Sequence, residues 1–282
     1  GKNTHTFFTE DLTVAANDRM ALETELFRAM DSAAFEVHYQ PKIDIANGAV
    51  AGCEALVRWK RADGMWIPPS VFIPLAEETG LVRRLDMYVL RKACRQQREW
   101  REQGLGNVHM AVNMSGRSII AETFVDDVLD VLGREDVRPE HLGIEITETA
   151  FMSNMAEASR GIAALSEQGI QIYLDDFGTG YSSLYYLHTM PIASLKIDKS
   201  FIDGINAPLN ASNELVKTVL TLASGLGMAT VAEGVETREQ IDFLAENGCS
   251  AIQGYIFSQA LSGSDFATYL KGSAESIAAV MA

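Results

Sequence analysis

From about Phe35 onward the chain repeats one pattern: a short apolar run, then a stretch whose apolar positions recur at three- and four-residue spacing. The short runs predict strands at Glu36–Lys42, Val50–Trp59, Val108–Met114, Leu142–Thr147, Ile170–Leu174, Ala193–Ile197, Ala229–Ala232 and Ser250–Ile252. The stretches between most of them predict helices. One stripe holds Val82, Leu85, Val89 and Ala93, a second Phe124, Val128 and Val131, a third Leu215, Val219, Leu222 and Leu226. Thr237 and Gln240 have the spacing of a capping box, and Gly248 suits the stop of the helix they open. Eight strands alternating with helices over about 250 residues predict an α/β fold of the TIM (β/α)8 barrel type. The first two strands are separated only by Asp44–Ala49, which contains Asn47-Gly48, a hairpin signal with no room for a crossover helix. The expectation is therefore a modified barrel with one antiparallel strand. Upstream, Asp18–Met30 reads as a helix with Leu22, Leu26 and Met30 on one face. The implied domains are an N-terminal arm and linker helix over 1–32 and the barrel over 33–282.

Composition narrows the class. The 282 residues are 47% hydrophobic and 22% charged, ordinary for a globular protein with a substantial core. No apolar run approaches the roughly 18 residues of a membrane span. The N-terminus GKNTHTFFTEDL lacks the basic-then-apolar pattern of a secretory signal and reads as the continuation of something longer. Cys53, Cys94 and Cys249 have no CxxC spacing and read as small buried hydrophobes in a reducing cytosol. A formal net charge of -15 argues against binding duplex nucleic acid, which needs a basic footprint. It does not exclude a small phosphate ligand, because divalent metals can reverse a local field.

The chemistry sits where such barrels keep it, at the C-terminal ends of the strands. Residues two apart on a strand share a face. That sets Glu54, Leu56 and Arg58 on one face of the second strand, Glu145 beside Thr147 on the fourth, and Lys196 beside Asp198 on the sixth. Asn113 and Ser115 close the third strand, and Asp175 and Asp176 end the fifth. Glu233 and Glu236 follow the seventh, Gln253 the eighth. The adjacent aspartates are the most telling pair. At about 4 Å and an effective dielectric of roughly 20, two carboxylates repel by about 4 kcal/mol, so a cation between them is expected. Gly178 and Gly180 then let the backbone turn sharply into a loop.

Each residue alone has an ordinary reading: Glu54 and Lys196 as exposed strand residues, Asn113 as a turn former, Glu236 as a partner of a helix dipole. A purely structural barrel, however, has no need to bring polar groups from seven successive strands to one rim. Five carboxylates and an amide are hard oxygen donors that suit Mg²⁺ or Mn²⁺. The five histidines, His5, His38, His109, His141 and His188, form no HxH or HExxH pair, so zinc is not expected. With Glu236 counted, the acids carry a formal -6; Lys196 and Arg58 offset two charges, and two divalent cations would supply the rest. This points to a metal-dependent phosphohydrolase without naming its substrate.

The motifs go further. Tyr39-Gln-Pro, Glu54-Ala-Leu-Val-Arg, Val112-Asn-Met-Ser, Glu145-Ile-Thr-Glu-Thr, Asp175-Asp-Phe-Gly-Thr-Gly-Tyr-Ser-Ser-Leu, Leu195-Lys-Ile-Asp-Lys-Ser-Phe, Ala232-Glu-Gly-Val-Glu and Gln253-Gly-Tyr resemble, in this order, the signature of the EAL-domain family. The resemblance runs from about Ala33 to Leu270. It implies a bacterial phosphodiesterase that opens cyclic di-GMP to linear 5′-pGpG with two Mg²⁺ or Mn²⁺ ions, on a modified barrel with one antiparallel strand. Carried onto these positions, Glu54, Asn113, Glu145 and Asp175 would hold the first metal. Asp175 would bridge to a second, which also takes Asp176 and Glu233. Lys196 would hydrogen-bond the attacking water and share the catalytic role with Glu233, whose part as base or ligand stays open. Gln40 and Arg58 would contact substrate, Arg58 on a phosphate oxygen. Asp198, Glu236 and Gln253 would line the nucleotide side, and Glu148 would hold the Asp176–Ser183 loop.

Family members that have lost such groups act as non-hydrolysing cyclic di-GMP receptors, the alternative function class. None of the positions named here departs from the signature, which favours an enzyme. The segment Gly1–Leu12 resembles the tail of a GGDEF domain. It implies a longer tandem protein with GGDEF and sensory domains upstream and attachment to a membrane, and a cytoplasmic location for this domain. Homodimerisation after the fifth strand is also implied, through Leu184, Tyr185, Tyr186 and Leu187, side chains that equally suit a core.

Overall fold

The computed structural model describes residues 10–32, 34–178, 184–205 and 212–281. Two compact units are distinguished: the residues up to Glu36 with Val57–Leu85, and Val37–Leu56 with the chain from Asp86 onward. The strands are β1 Phe35–Asp44, β2 Val50–Lys60, β3 Trp66–Ile67, β4 Met110–Asn113, β5 Leu142–Thr147, β6 Gln171–Phe177, β7 Ser194–Ile197, β8 Ala229–Ala232 and β9 Ala251–Ile252. They form one sheet in the order β1-β9-β8-β7-β6-β5-β4-β2-β3, closed by pairing of β1 with β2. The short β3, which the sequence pattern did not predict, hangs on β2 through Trp59 and Ile67 and stands outside the ring. The other eight strands are the expected modified barrel. From β2 through β4 to β9 neighbours run parallel, while β1 is antiparallel to β9. The reversal begins at the predicted hairpin, where Asp44 Oδ1 accepts from the Ala46 amide at 2.8 Å and Gly48 takes φ +66°. That left-handed backbone favours glycine.

Packing follows the periodicity with one displacement. Val82, Leu85, Val89 and Ala93 are all buried, as are Phe124, Val128 and Val131. On the helix Ser212–Gly225 the buried stripe is Val216, Val219, Leu220 and Ala223, whereas Leu215 is 41% exposed. This helix packs against β7 and β8, and its buried face is rotated by about one position from the predicted stripe, with Val219 common to both. In the first unit the helix Glu10–Asp31 is longer than predicted, and Leu26 and Met30 are buried on its inner face. There Phe35, Trp59 and Phe72 interlock with ring centroids 5.7–5.8 Å apart. In the second unit Trp100 packs between Tyr39 and Phe266 at 4.9 and 4.8 Å. Each such apolar side chain removed from water contributes on the order of 2 kcal/mol.

All three cysteines are free and buried, and burial pushes the Cys94 and Cys249 thiols up to about 12 and about 11. Among the described residues no helix is long and apolar enough to cross a membrane. Residues 1–9 of the Gly1–Leu12 segment, and residues 179–183 of the predicted loop, lie outside the described residues. So do the side chains of Leu184, Tyr185 and Tyr186 in the predicted dimer patch; Leu187 is buried in the chain itself.

Candidate active site

Parallel register places the polar strand residues side by side. Asn113 on β4 is level with Glu145 on β5, and Thr147 with Asp175 on β6. At the centre is Lys196 on β7, 1% exposed. Its Nζ lies 2.7 Å from Glu145 Oε2, 3.0 Å from Asp175 Oδ2, 3.5 Å from Glu54 Oε2 and 2.6 Å from Glu233 Oε1. Four predicted acids from four strands or strand ends thus converge on one ammonium group. Asn113 Nδ2 donates to Glu54 Oε1 at 2.7 Å. Gln253 Nε2 donates both to Glu54 Oε2 at 2.8 Å and to Gln40 Oε1 at 2.9 Å. Above these groups is an open cavity of about 280 Å³, lined in part by Gln40, Glu54, Asp175, Glu233, Glu236 and Gln253.

Local chemistry fixes several of these positions. Ser115 caps the short helix Gly116–Ile119. The Asp86 carboxylate accepts from the Ser115 amide, the Ser115 hydroxyl and the Ser118 hydroxyl at 2.9, 2.6 and 2.6 Å. This clamp sets the turn directly after Asn113. The predicted capping box of Thr237 and Gln240 is present on the helix Arg238–Glu246, and Gln240 Oε1 also accepts from the Glu236 amide at 2.8 Å. Gly254 is required where the chain leaves β9: a Cβ there would lie 1.9 Å from the Val235 carbonyl oxygen and 2.4 Å from its nitrogen. Gly254→Ala should therefore cost about 3 kcal/mol and draw Gln253 away from Glu54. A urea midpoint equal to that of the wild type would show that the two backbones separate without cost.

The fifth barrel strand departs from its prediction. Ile170–Leu174 was expected to end at the aspartates, but β6 continues through Asp175 and Asp176 to Phe177, with its pairing to β7 shifted between Leu174 and Phe177. Asp176 takes φ +55°, and its amide donates to Asp175 Oδ1 at 2.9 Å. Apolar periodicity stops at the first acid, yet the backbone pairs onward through the bulge. The bulge breaks the alternation that would send adjacent carboxylates to opposite faces. Beyond it, Glu148 Oε2 accepts from the Gly178 amide at 3.2 Å, linking the start of the loop to the helix Glu148–Ser153.

At the outer edge, Asp198 caps the helix Lys199–Ile202 and accepts from the Ser200 amide and hydroxyl. Glu236 pairs with Lys199 Nζ at 2.9 Å. Arg58 belongs to the first unit, where its Nη1 donates to the Val57 carbonyl. Three residues were missed by sequence reasoning. Lys199 and Tyr255 line the cavity, and both lie inside quoted motifs, which was the available signal. Lys42, whose Nζ is 2.5 Å from Glu145 Oε1, is 6% exposed; it follows the Tyr39-Gln-Pro motif directly.

Burial opposes the Lys196 ammonium, but Glu145, Glu233, Glu54 and Asp175 outweigh it and hold its pKa well above the usual lysine value. Burial would also raise Glu145, yet Lys196 and Lys42 hold it below the usual carboxylate range. Glu233 behaves oppositely: burial, opposed by Lys196 and reinforced by the other acids, raises it to about 8. Burial raises Asp176 too, with Asp175 and Asp198 adding to it. Among the described residues no three His, Cys, Asp or Glu side chains stand as ligands of one ion; the acids meet Lys196 instead. The donor set nevertheless fits a hard divalent ion. All donors are oxygens, and four carboxylates against two ammonium groups leave a local surplus of negative charge.

Comparison with known proteins identifies the family. The model of the EAL domain matches residues 23–260. The chain is 39% identical over 261 residues to the cyclic di-GMP phosphodiesterase NbdA of Pseudomonas aeruginosa, a match covering 93% of this chain and 33% of NbdA. It is 38% identical over 259 residues to the bifunctional diguanylate cyclase/cyclic di-GMP phosphodiesterase MucR of the same bacterium, covering 92% of this chain and 38% of MucR. The chain thus spans about a third of the length of these curated relatives. Among solved structures it is similar to the PaMucR phosphodiesterase in complex with c-di-GMP, with a TM-score of 0.83 and 37% identity over 87% of this chain and 99% of that one. It is also similar to the EAL enzyme Bd1971 in its cAMP- and cyclic-di-GMP-bound form, with a TM-score of 0.86 and 31% identity over 91% of this chain and 70% of that one.

Proposed function

The chain belongs to the EAL domain family, and we propose that it hydrolyses cyclic di-GMP to linear 5′-pGpG by metal-assisted attack of water on a phosphodiester bond. The observation that carries this reading is the set of four carboxylates gathered on buried Lys196 beneath an open cavity, with negative charge in surplus. Mg²⁺ or Mn²⁺, two per site, would supply a bound water of lowered pKa and positive charge for the phosphate oxygens. Glu54, Asn113, Glu145 and Asp175 would hold one ion; Asp175, Asp176 and Glu233 would hold the other.

The remaining roles follow from the side chains themselves. Lys196, protonated and surrounded by acids, donates hydrogen bonds and does not accept a proton. Its part is to orient the attacking oxygen and stabilise its negative charge. Glu233 meets Lys196 from the end of β8 on the cavity wall, and takes the proton if it is not occupied as a ligand. Gln40, Gln253 and Glu236 on the cavity wall, with Arg58 and Asp198, are the proposed contacts to phosphate and base. Glu148 holds the loop after β6 by its bond to Gly178. Upstream GGDEF and sensory domains, attachment of the longer protein to a membrane, and pairing of two copies belong to the same proposal.

The test is turnover of cyclic di-GMP by the full chain with saturating Mg²⁺ or Mn²⁺, following pGpG by chromatography. Linear product is expected, and its formation should stop when a chelator removes the metal. Binding of cyclic di-GMP without turnover would instead identify a receptor.

A further inference from the structure

Asn113 is the last residue of β4, and its side-chain amide is already oriented. Nδ2 donates to Glu54 Oε1 at 2.7 Å. An ionised carboxylate only accepts, so the nitrogen must face Glu54 and Oδ1 is left for another partner. Among the described residues no hydrogen bond reaches that oxygen. The direction of Oδ1 therefore depends on the backbone that carries it, and a strand end is where a backbone ladder holds least.

On one side the sheet fixes it. Asn113 is level with Glu145, and the Met114 amide donates to the Glu145 carbonyl at 2.9 Å. On the other side the hold comes from Asp86, 29 residues before Ser115 on the helix Val82–Glu102, where Val89 and Leu90 are buried. Asp86 Oδ2 accepts from the Ser115 amide and hydroxyl at 2.9 and 2.6 Å and from the Ser118 hydroxyl at 2.6 Å. The Ser115 hydroxyl also accepts from the Ser118 amide at 3.3 Å, opening the helix Gly116–Ile119. Asp86 and Ser118 are buried, so water is a poor substitute for that oxygen. Hydrogen bonds to an ionised acceptor are roughly twice as strong as neutral ones. Two residues after Asn113 the chain is thus tied to a buried charge.

We propose that Asp86 is a positioning residue of the metal centre: it holds the end of β4 so that Asn113 Oδ1 is presented to a divalent cation before the cation arrives. This rests on the metal-centre reading above, in which Asn113 is a ligand. Without the clamp the strand end would have to be ordered by the ion itself, and that ordering is subtracted from affinity. A group that orients a ligand in this way changes metal affinity by about ten- to a hundredfold when removed. Asp86 does not line the cavity, so an effect of its loss on the ion must pass through the turn at Ser115.

The experiment is calorimetric titration of the metal-free full chain with Mn²⁺, for wild type, Asp86→Ala, Asp86→Asn, Ser115→Ala and the Asp86→Ala/Ser115→Ala double variant, with thermal unfolding of each. Asp86→Ala should weaken Mn²⁺ binding about tenfold or more. Asp86→Asn keeps the shape and one acceptor oxygen and should recover part of that loss; it carries the comparison with wild type if the alanine variant does not fold. Ser115→Ala should weaken binding too, and should add little in the double variant, because both changes open the same clamp. A folded Asp86 variant that binds Mn²⁺ within about twofold of wild type, whatever its melting temperature, would overturn the proposal and leave Asp86 as a stabiliser of the turn alone. Absence of Mn²⁺ binding to the wild type is a distinguishable result, which would sink the metal-centre reading and the proposal with it.

Discussion

Lys196→Met should abolish cyclic di-GMP turnover, by about 10³-fold or more, and should strongly destabilise the metal-free protein. Methionine keeps the length and apolar stem of lysine but removes the charge on which Glu54, Glu145, Asp175 and Glu233 meet. Stranding buried charges in this way costs about 3–5 kcal/mol. The destabilisation should be partly reversed by Mg²⁺ or Mn²⁺, because a cation bound to the folded state alone stabilises it by mass action. Urea unfolding with and without metal measures this. A variant as stable as wild type without metal would mean that the acids are not ionised together around Lys196.

Glu54→Ala should be equally inactive, with a loss of about 10³-fold or more, but for the opposite electrostatic reason. Glu54 accepts from Asn113 and Gln253 and contacts Lys196. Its removal leaves two amide groups with one partner fewer, at about 1–3 kcal/mol, while relieving repulsion within an over-negative cluster. The two effects oppose, so the unfolding midpoint should move little and circular dichroism should be unchanged. Inactivity with intact stability separates Glu54 from Lys196. An unaffected rate would reject Glu54 as a ligand.

The contrast between these variants shows what strand-level reasoning can reach. The acids, Asn113 and Lys196 were legible in the sequence because each sits at a fixed position on a predicted strand, and parallel strands bring their ends together. The hairpin at Asn47-Gly48 gave the antiparallel strand for a similar reason, since six residues cannot hold a crossover helix. The capping box at Thr237 was legible because its bonds join neighbours three residues apart. In each case the information is local, or follows from a register that locality imposes.

Other features depended on contacts between segments distant in sequence. Asp86 fixes the turn after Asn113 from 29 residues away. Lys42 reads on its strand as any lysine, and only closure of the ring sets it 103 residues from its partner Glu145 in sequence but within a hydrogen bond in space. Asp176 takes its left-handed backbone from a bulge that apolar spacing does not mark, and the helix after residue 212 buries a face rotated from the predicted stripe because the sheet it packs on lies to that side. The sequence by itself determined the barrel, its reversed strand and the acids that meet at its rim. The tertiary structure decided how those charges are neutralised, because a buried ion is tolerated only by partners that the closed ring brings to it.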